Sequence, residues 1–501
     1  MHVIVHVGLV LIACSASVNS LSDSSSTFDE LRALIQSAEV NETIKAEFKE
    51  HFKAWDALDT SPNLSKFTCQ PVSDSVERAT SVHRLRPEDI DVVAAIGDSI
   101  TAGCGSNALA APGILREWRG LSWSIGGDKS IDEGVFTIPN MLKKFNPKVK
   151  GFSTGTIPVF SQGIFTKKAG LNMAVSGAKA GNILTQAKNL VKKMSEGNPV
   201  PVDIHNDWKL VTLFIGGNDL CAYCKDEDAY SHATYQHHLN ETLNYLRDNL
   251  PRTLVNVVPM LDLTQLSEMN GELVCGLLHR LFCKCGSYPT SDVARQVLVQ
   301  EAVEYSESII DLIDKENSFD RGDDFTVVAQ PFLVNQRLPS TASGKPDLSY
   351  FAPDCFHFSV RGHATSAQAL WNNMFEPAGR KRLSWYRDEG WNCPTSSNPY
   401  IFTYGNSDSF SSNHAAHEKN MMKQTANRHS PRQNFGSGLQ RVEQTSLPDR
   451  DESHAGSQSV APMVVGIIAG VVVLAVLLAM LTANIKKKKR EISDTENSAL
   501  L

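Results

Sequence analysis

A serine hydroxyl, an imidazole and a carboxylate together form a proton relay able to break an ester, and this chain holds candidates for all three. Ser99 stands in Gly97-Asp98-Ser99-Ile100, and Asp354 and His357 lie three residues apart in "PDCFHFSVRGH". In a loop or first helical turn that spacing brings a carboxylate to one imidazole nitrogen and leaves the other free to accept a serine proton. His363 is close by but has no acid three residues before it. Two further elements carry donors suited to a developing oxyanion: the Asn218 amide in Gly216-Gly217-Asn218-Asp219, and the Gly177 N–H in "LNMAVSGAKAGN", read as the start of a helix. Taken singly, each has an ordinary alternative. Asp-Ser is a preferred helix cap, Gly-Gly-Asn-Asp suits an Asx turn, and Asp-x-x-His is commonly a surface pair.

One stretch imitates a nucleophile site. Gly151-Phe152-Ser153-Thr154-Gly155 matches the G-x-S-x-G elbow, which requires a buried strand before it and a helix after it. Its flanks, "KKFNPKVK" and "TIPVF", are polar or interrupted by Pro147 and Pro158. Ser153 is therefore set aside as a nucleophile.

The elements that must position these groups are legible as apolar runs. "IDVVAAIG" at 90–97, "LVTLFIGG" at 210–217, "TLVNVVPML" at 253–261 and "FTVVAQPFL" at 325–333 are apolar throughout, as strands buried on both faces are. Segments 180–194, 230–249 and 293–316 between them have helical spacing. The alternation predicts an α/β fold, a parallel sheet sandwiched by helices, with the ligand crevice beyond the carboxyl ends of the strands. Ser99 and Asn218 fall just after such runs. Residues 27–55 read as an amphipathic helical extension.

The chain ends indicate a membrane setting. Residues 1–20 have the apolar core and small-residue flank of a secretory signal. Residues 461–485 carry no charge, long enough for a transmembrane helix, and Lys486–Arg490 form a positive flank expected to stay cytoplasmic. A glycolipid-anchor signal would end in its hydrophobic tail, whereas a polar segment follows here. The expected product is a single-pass type I protein at the cell surface, with globular residues 21–397 outside, a flexible polar stalk at 398–460 and a tail at 486–501. Glu496 with Leu500 and Leu501 matches an acidic dileucine pattern read by endocytic adaptors, although such short motifs often occur by chance and a solvated tail is the better-favoured reading. Sequons at Asn41, Asn63 and Asn240 are candidate glycan acceptors on exposed positions.

Ten cysteines, one of them (Cys14) inside the signal, leave an odd number, so at least one thiol is free or pairs between chains. Cys221 and Cys224 form a CxxC with no second metal half-site, which in an oxidising compartment favours structural disulfides. A net charge of -7, with basic residues scattered apart from one late cluster, gives no nucleic-acid footprint.

The blocks "GDSI", "NMAVSG", "GGND" and "DCFH", in that order, resemble those of the SGNH or GDSL-type hydrolases. Within that superfamily, "SVHRLRPEDIDVVAAIGDSITAG", "LNMAVSGAKA", "LFIGGNDLC" and "DCFHFSVRGHA" are similar to the wording of the phospholipase B branch, with Ile100 replacing the usual Leu. Mammalian members of that branch carry several tandem copies of the domain, and this chain has one. The resemblance implies a three-layer α/β/α, flavodoxin-like domain and acyl transfer without a metal or other cofactor. It implies Ser99 as nucleophile, His357 as base, Asp354 as its orienter, and an oxyanion hole from the Ser99 and Gly177 N–H groups and the Asn218 side chain. The implied substrate is a phospholipid or lysophospholipid. Two alternatives stay open at this point: a small-ester or glycan deacetylase on the same fold, and a catalytically silent adhesion or receptor ectodomain, although no motif residue is missing.

Overall fold

The computed structural model describes residues 42–407, apart from 73–76, 110, 115, 160–162, 315–318 and 388. The expected signal, residues 27–41 of the helical extension, Asn41, most of the stalk, the membrane segment 461–485, and the tail with Glu496, Leu500 and Leu501 lie outside the described residues. Among the described residues no helix is long and apolar enough to cross a membrane.

Four parallel strands form the centre: β1 (Ile90–Gly97), β2 (Trp208–Phe214), β3 (Thr253–Val258) and β4 (Phe325–Ala329), hydrogen-bonded in that order. Beyond β1 the sheet is extended by a short segment around Asn172, where Ala95 N–H donates to the Leu171 carbonyl and Met173 N–H to that of Ala95. Three strands stop earlier than their apolar runs, each for a local reason. Gly216, with φ +122°, turns the chain after β2, while Pro259 and Pro331 lack the N–H a continuing ladder needs.

Helix α1 (Glu42–Asp56) precedes the sheet, and α2 (Ser99–Ala102) follows β1 directly. The crossovers are α3 (Ile183–Ser195), α5 (His232–Asn249) and α8 (Asp292–Asp314), which pack side by side in one layer. Between them lie the shorter α4 (Gly217–Ala222), α6 (Leu273–Phe282) and α7 (Lys284–Ser287). After β4 comes α9 (Val360–Met374), which packs on the short helix Ile138–Leu142. The strands are buried on both faces apart from Asp91 in β1, which is the reason their sequences are nearly all apolar. This parallel sheet with helices fits the α/β architecture expected.

Residues 398–407, expected to begin the stalk, instead pack on the domain. Ile401 is fully buried and donates its N–H to the Leu85 carbonyl at 2.8 Å, and the Ser407 hydroxyl accepts from Ala378 N–H at 2.9 Å. The segment's single aliphatic side chain, Ile401, is too little to register as core in composition yet enough to dock.

Four disulfides cross-link the domain: Cys69–Cys393, Cys221–Cys283, Cys224–Cys285 and Cys275–Cys355. Cys221 and Cys224 therefore serve structural bonds, each with a partner on α6, α7 or the residue between them. Among the described residues Cys104 is the cysteine outside these bonds, a buried thiol that donates to the Ile114 carbonyl at 3.4 Å. Of the sequons, Asn63 is exposed, whereas Asn240 sits half-buried within α5.

Candidate active site

Ser99 is presented by a corner that only this local sequence can make. A Cβ on Gly97 would stand 2.4 Å from Thr101 Oγ1 and 2.6 Å from the Phe214 carbonyl, so the chain can leave β1 here only through glycine. The Gln186 side chain from α3 clamps both the N–H and the carbonyl of Gly97 at 2.9 Å. Asp98, not Ser99, is the helix cap: its Oδ1 accepts from Ile100 N–H at 3.0 Å. Ser99 is thereby the first helical residue, and its N–H is one of the unpaired donors of a helix start. No hydrogen bond engages that N–H among the described residues.

The turn at Asp354–His357, just ahead of α9, brings the other two groups. Asp354 Oδ1 accepts from the N–H of Phe356 at 3.0 Å and of His357 at 2.9 Å, a local turn that fixes the carboxylate. Its Oδ2 lies 2.6 Å from His357 Nδ1, and His357 Nε2 lies 2.8 Å from Ser99 Oγ. The network assigns the tautomer: Nδ1–H donates to Asp354, leaving Nε2 to accept from the serine hydroxyl. Burial pushes the fully buried Asp354 carboxyl up, but the His357 charge and the hydrogen bonds it accepts outweigh that, and it ends below the ordinary carboxylate range. His363 is excluded from this relay. Burial pulls it down to about 3, its Nδ1 accepts from Trp123 N–H at 3.4 Å, and its Nε2 has no partner among the described residues.

Asn218, in the first turn of α4, lines the same cavity as Ser99 and donates its Nδ2 to the Ala178 carbonyl at 3.0 Å. Gly177 departs from its expected place at a helix start. It occupies a turn at φ +81°, and regular helix begins only at Ile183, after a single 3₁₀ turn. The cause is the extended pairing of Leu171–Val175 with β1, which must end in a reversal before the chain can coil. Glycine is the residue that takes such a positive φ without strain, and its N–H is engaged by no hydrogen bond among the described residues.

This turn is braced by an ion pair that sequence reasoning missed. Arg119, 1% exposed, donates to the carbonyls of Asn172 at 3.0 Å and Ala174 at 2.8 Å, and to Glu117 Oε2 at 2.8 Å. Glu117 Oε1 in turn accepts from the Ser176 hydroxyl at 2.8 Å. Nothing in "EWRGL" marks the pair as buried, since charged residues two apart ordinarily face solvent. Two buried carboxyls in the motifs were also missed as a pair. Burial pushes Asp98 up to about 6 and Asp219 up to about 7, and the Asp219 oxygens accept from Ala180 N–H at 3.1 Å.

Ser153 lies elsewhere. It is fully buried, and its Oγ donates to the Arg119 carbonyl at 2.7 Å. Beside Ser99, by contrast, opens a cavity whose walls are apolar, including Phe214, Met260, Leu263, Leu266, Phe356 and Phe358, with Asp98, Asn218, Asp262 and Gln265 as its other polar members. The arrangement is that of an acyl-transfer centre with an apolar slot.

A serine, an imidazole and a carboxylate in hydrogen-bonded order past the strand ends of a parallel α/β sheet have the geometry found in serine hydrolases, and residues 93–370 match the family described as GDSL-like Lipase/Acylhydrolase. The chain belongs to that family. It is 42% identical over 347 residues to "Phospholipase B1, membrane-associated" of Rattus norvegicus and 41% identical over 346 residues to the protein of the same name in Homo sapiens. The mouse protein is 39% identical over 353 residues. These matches take in 68–69% of this chain but only 23% of each relative, so the chain spans under a quarter of the length of the curated proteins it matches. No solved structure matches it.

Proposed function

We propose that this chain is a serine ester hydrolase that releases fatty acids from phospholipids and lysophospholipids. The observation that carries the reading is the apolar cavity opening directly on a serine hydroxyl held 2.8 Å from an imidazole. An acyl chain fills such a cavity with favourable burial, whereas the acetyl group of a small ester or a glycan leaves most of it empty. The names of the rat, human and mouse relatives agree with a phospholipid substrate.

In the proposed reaction Ser99 Oγ attacks the ester carbonyl while its proton passes to His357 Nε2. The carbonyl electron pair moves to oxygen, met by the N–H groups of Ser99 and Gly177 and by the Asn218 amide. The C–O bond to the glycerol oxygen then breaks, and His357 returns the proton to that leaving oxygen. Water repeats the sequence on the acyl-enzyme and frees the fatty acid. Asp354 stays ionised throughout, holding the imidazole tautomer and stabilising its charged form.

The setting proposed is the cell surface: a signal at 1–20, an extracellular globular domain, a stalk, one transmembrane helix at 461–485 with type I topology, and a tail whose Glu496, Leu500 and Leu501 engage an endocytic adaptor. Glycans are proposed at Asn41, Asn63 and Asn240. The names of the relatives agree with membrane association.

The test gives the detergent-solubilised full chain a long-chain diacyl phospholipid, a lysophospholipid and a short acetyl ester, comparing wild type with Ser99→Ala. Release of long-chain fatty acid that disappears in the variant is the expected result. Activity confined to the acetyl ester overturns the substrate, and full activity in Ser99→Ala overturns the mechanism.

A further inference from the structure

Helix α6 presents apolar side chains outward. Leu273 is 45% exposed, and Leu277 and Leu281, one and two turns on, are half-buried along the same face. Arg280 and Lys284 are exposed beside them, the Arg280 guanidinium lying over the Tyr288 ring. The buried side of the same helix, Val274, Cys275, Gly276 and His279, faces the domain. The leucine stripe thus leaves Leu273 in water, and Leu277 and Leu281 only partly covered, where an amphipathic surface helix would carry polar groups.

The stripe adjoins the reaction centre. Phe282, at the end of α6 and 36% exposed, lies with its ring 6.3 Å from that of His357 and 6.1 Å from that of Phe356, a wall of the apolar cavity. Val175, two residues before Gly177 and hydrogen-bonded through its N–H to the Gly97 carbonyl, is 42% exposed. The helix is also fixed to the machinery at both ends: Cys275 to Cys355, between Asp354 and His357, and Cys283 to Cys221 on α4, the helix of Asn218. His279 Nε2 adds a contact of 2.8 Å to the Cys355 carbonyl.

We infer that the outer face of α6 is the surface by which this enzyme seats on a lipid interface, its leucines entering the acyl region and Arg280 and Lys284 meeting lipid phosphates. The inference rests on the phospholipid reading above. A long-chain substrate resides in a bilayer or micelle, and each methylene drawn through water costs about fourfold in transfer equilibrium. A site that takes such chains needs an apolar path from the lipid surface to Ser99. The stripe, Phe282 and the cavity wall at Phe356 supply one, and the paired cations match the phosphate level above the chains. A protein partner would need no continuity with the cavity.

The test compares the detergent-solubilised full chain with the double variant Leu273→Glu, Leu277→Glu and with Leu273→Glu alone. Each is given a long-chain phosphatidylcholine in mixed micelles and a short ester in true solution, and the ratio of the two rates is read. The double variant is expected to lose about tenfold or more in the ratio, with the soluble ester hydrolysed within about twofold of wild type, because two charges are set against the acyl layer. Leu273→Glu, at an exposed position that folding tolerates, is expected to lose severalfold. An unchanged ratio in the exposed single variant and in any active double variant overturns the inference. So does a self-association of the wild type that these substitutions abolish while the ratio holds, which assigns the face to a second copy. Failure of the phospholipid reading is distinct, since wild type would then hydrolyse the soluble ester and no phospholipid.

Discussion

Two serines in glycine-rich corners, Ser99 and Ser153, are almost equally buried, at 6% and 0% exposure, and each has a hydrogen-bond partner within 2.8 Å. They differ in what that partner can do. His357 Nε2 can take the proton it is offered and hold it, with Asp354 compensating the charge; the Arg119 carbonyl that receives the Ser153 hydroxyl cannot. Ser99 also borders an apolar cavity, whereas the Ser153 hydroxyl is enclosed by the Arg119 and Ile125 carbonyls and the Asn172 amide, which donates to it at 3.5 Å. A nucleophile is therefore defined by the basicity of its neighbour and by room for a substrate, and neither property is encoded in the Gly-x-Ser pattern.

The sharpest way to break this contrast is to exchange the two losses. Ser99→Ala is expected to lower kcat for ester hydrolysis on the order of 10⁶-fold, the scale seen when a triad member is removed, and retained turnover would dissolve the distinction. Asp354→Asn keeps the shape of the turn but reverses the tautomer of His357, with an expected loss of about 10⁴-fold in kcat. Asn218→Ala is expected to cost about 10²- to 10³-fold in kcat with little change in KM, as it withdraws a donor needed mainly once the oxyanion forms. Ser153→Ala should leave kcat within a few-fold while stability falls by about 1–3 kcal/mol in denaturant unfolding, because the Arg119 carbonyl loses its buried donor.

The remaining prediction concerns pH. Burial raises the folded-state value of Asp219 from 3.8 to about 7, so its contribution to stability is complete below pH ~4 and is lost as pH rises through about 7. Asp219→Asn keeps an acceptor for Ala180 N–H and removes the titration. The wild-type Tm is then expected to fall relative to the variant's across that window, and parallel Tm curves would show that the carboxyl is not paying for its burial.

Much of the sheet was legible because strands buried on both faces must be apolar throughout: β1 coincides with its run, and β3 and β4 end where proline removes a donor. The crossover helices were legible from their spacing. The segment Leu171–Val175 was not, as so short a stretch pairs with β1 that no periodicity can show in it. That omission displaced Gly177 from a turn to a helix start. The spatial meeting of Ser99 with His357 is an outcome of strand order, to which no local pattern refers, and only the joint presence of four blocks in sequence hinted at it. The Arg119–Glu117 brace and the cysteine pairings were invisible for a related reason: a partner's identity is set by the fold, and many partners suit each residue locally.

The bond between Cys275 and Cys355 reaches past the acid and base it supports. Cys355 is flanked by Asp354 and, two residues on, His357, while its partner sits 80 residues earlier. Ser99, Gly177 and Asn218 are all synthesised before either sulfur, so the Ser99 hydroxyl exists for a time without the imidazole it meets in the fold. The bond that then fastens the base-bearing turn is made only where thiols are oxidised. The order of translation and the redox chemistry of the surroundings thus act as two successive locks: Ser99 meets its imidazole only once His357 has been made, and the turn that carries Asp354 and His357 is fastened only where thiols are oxidised.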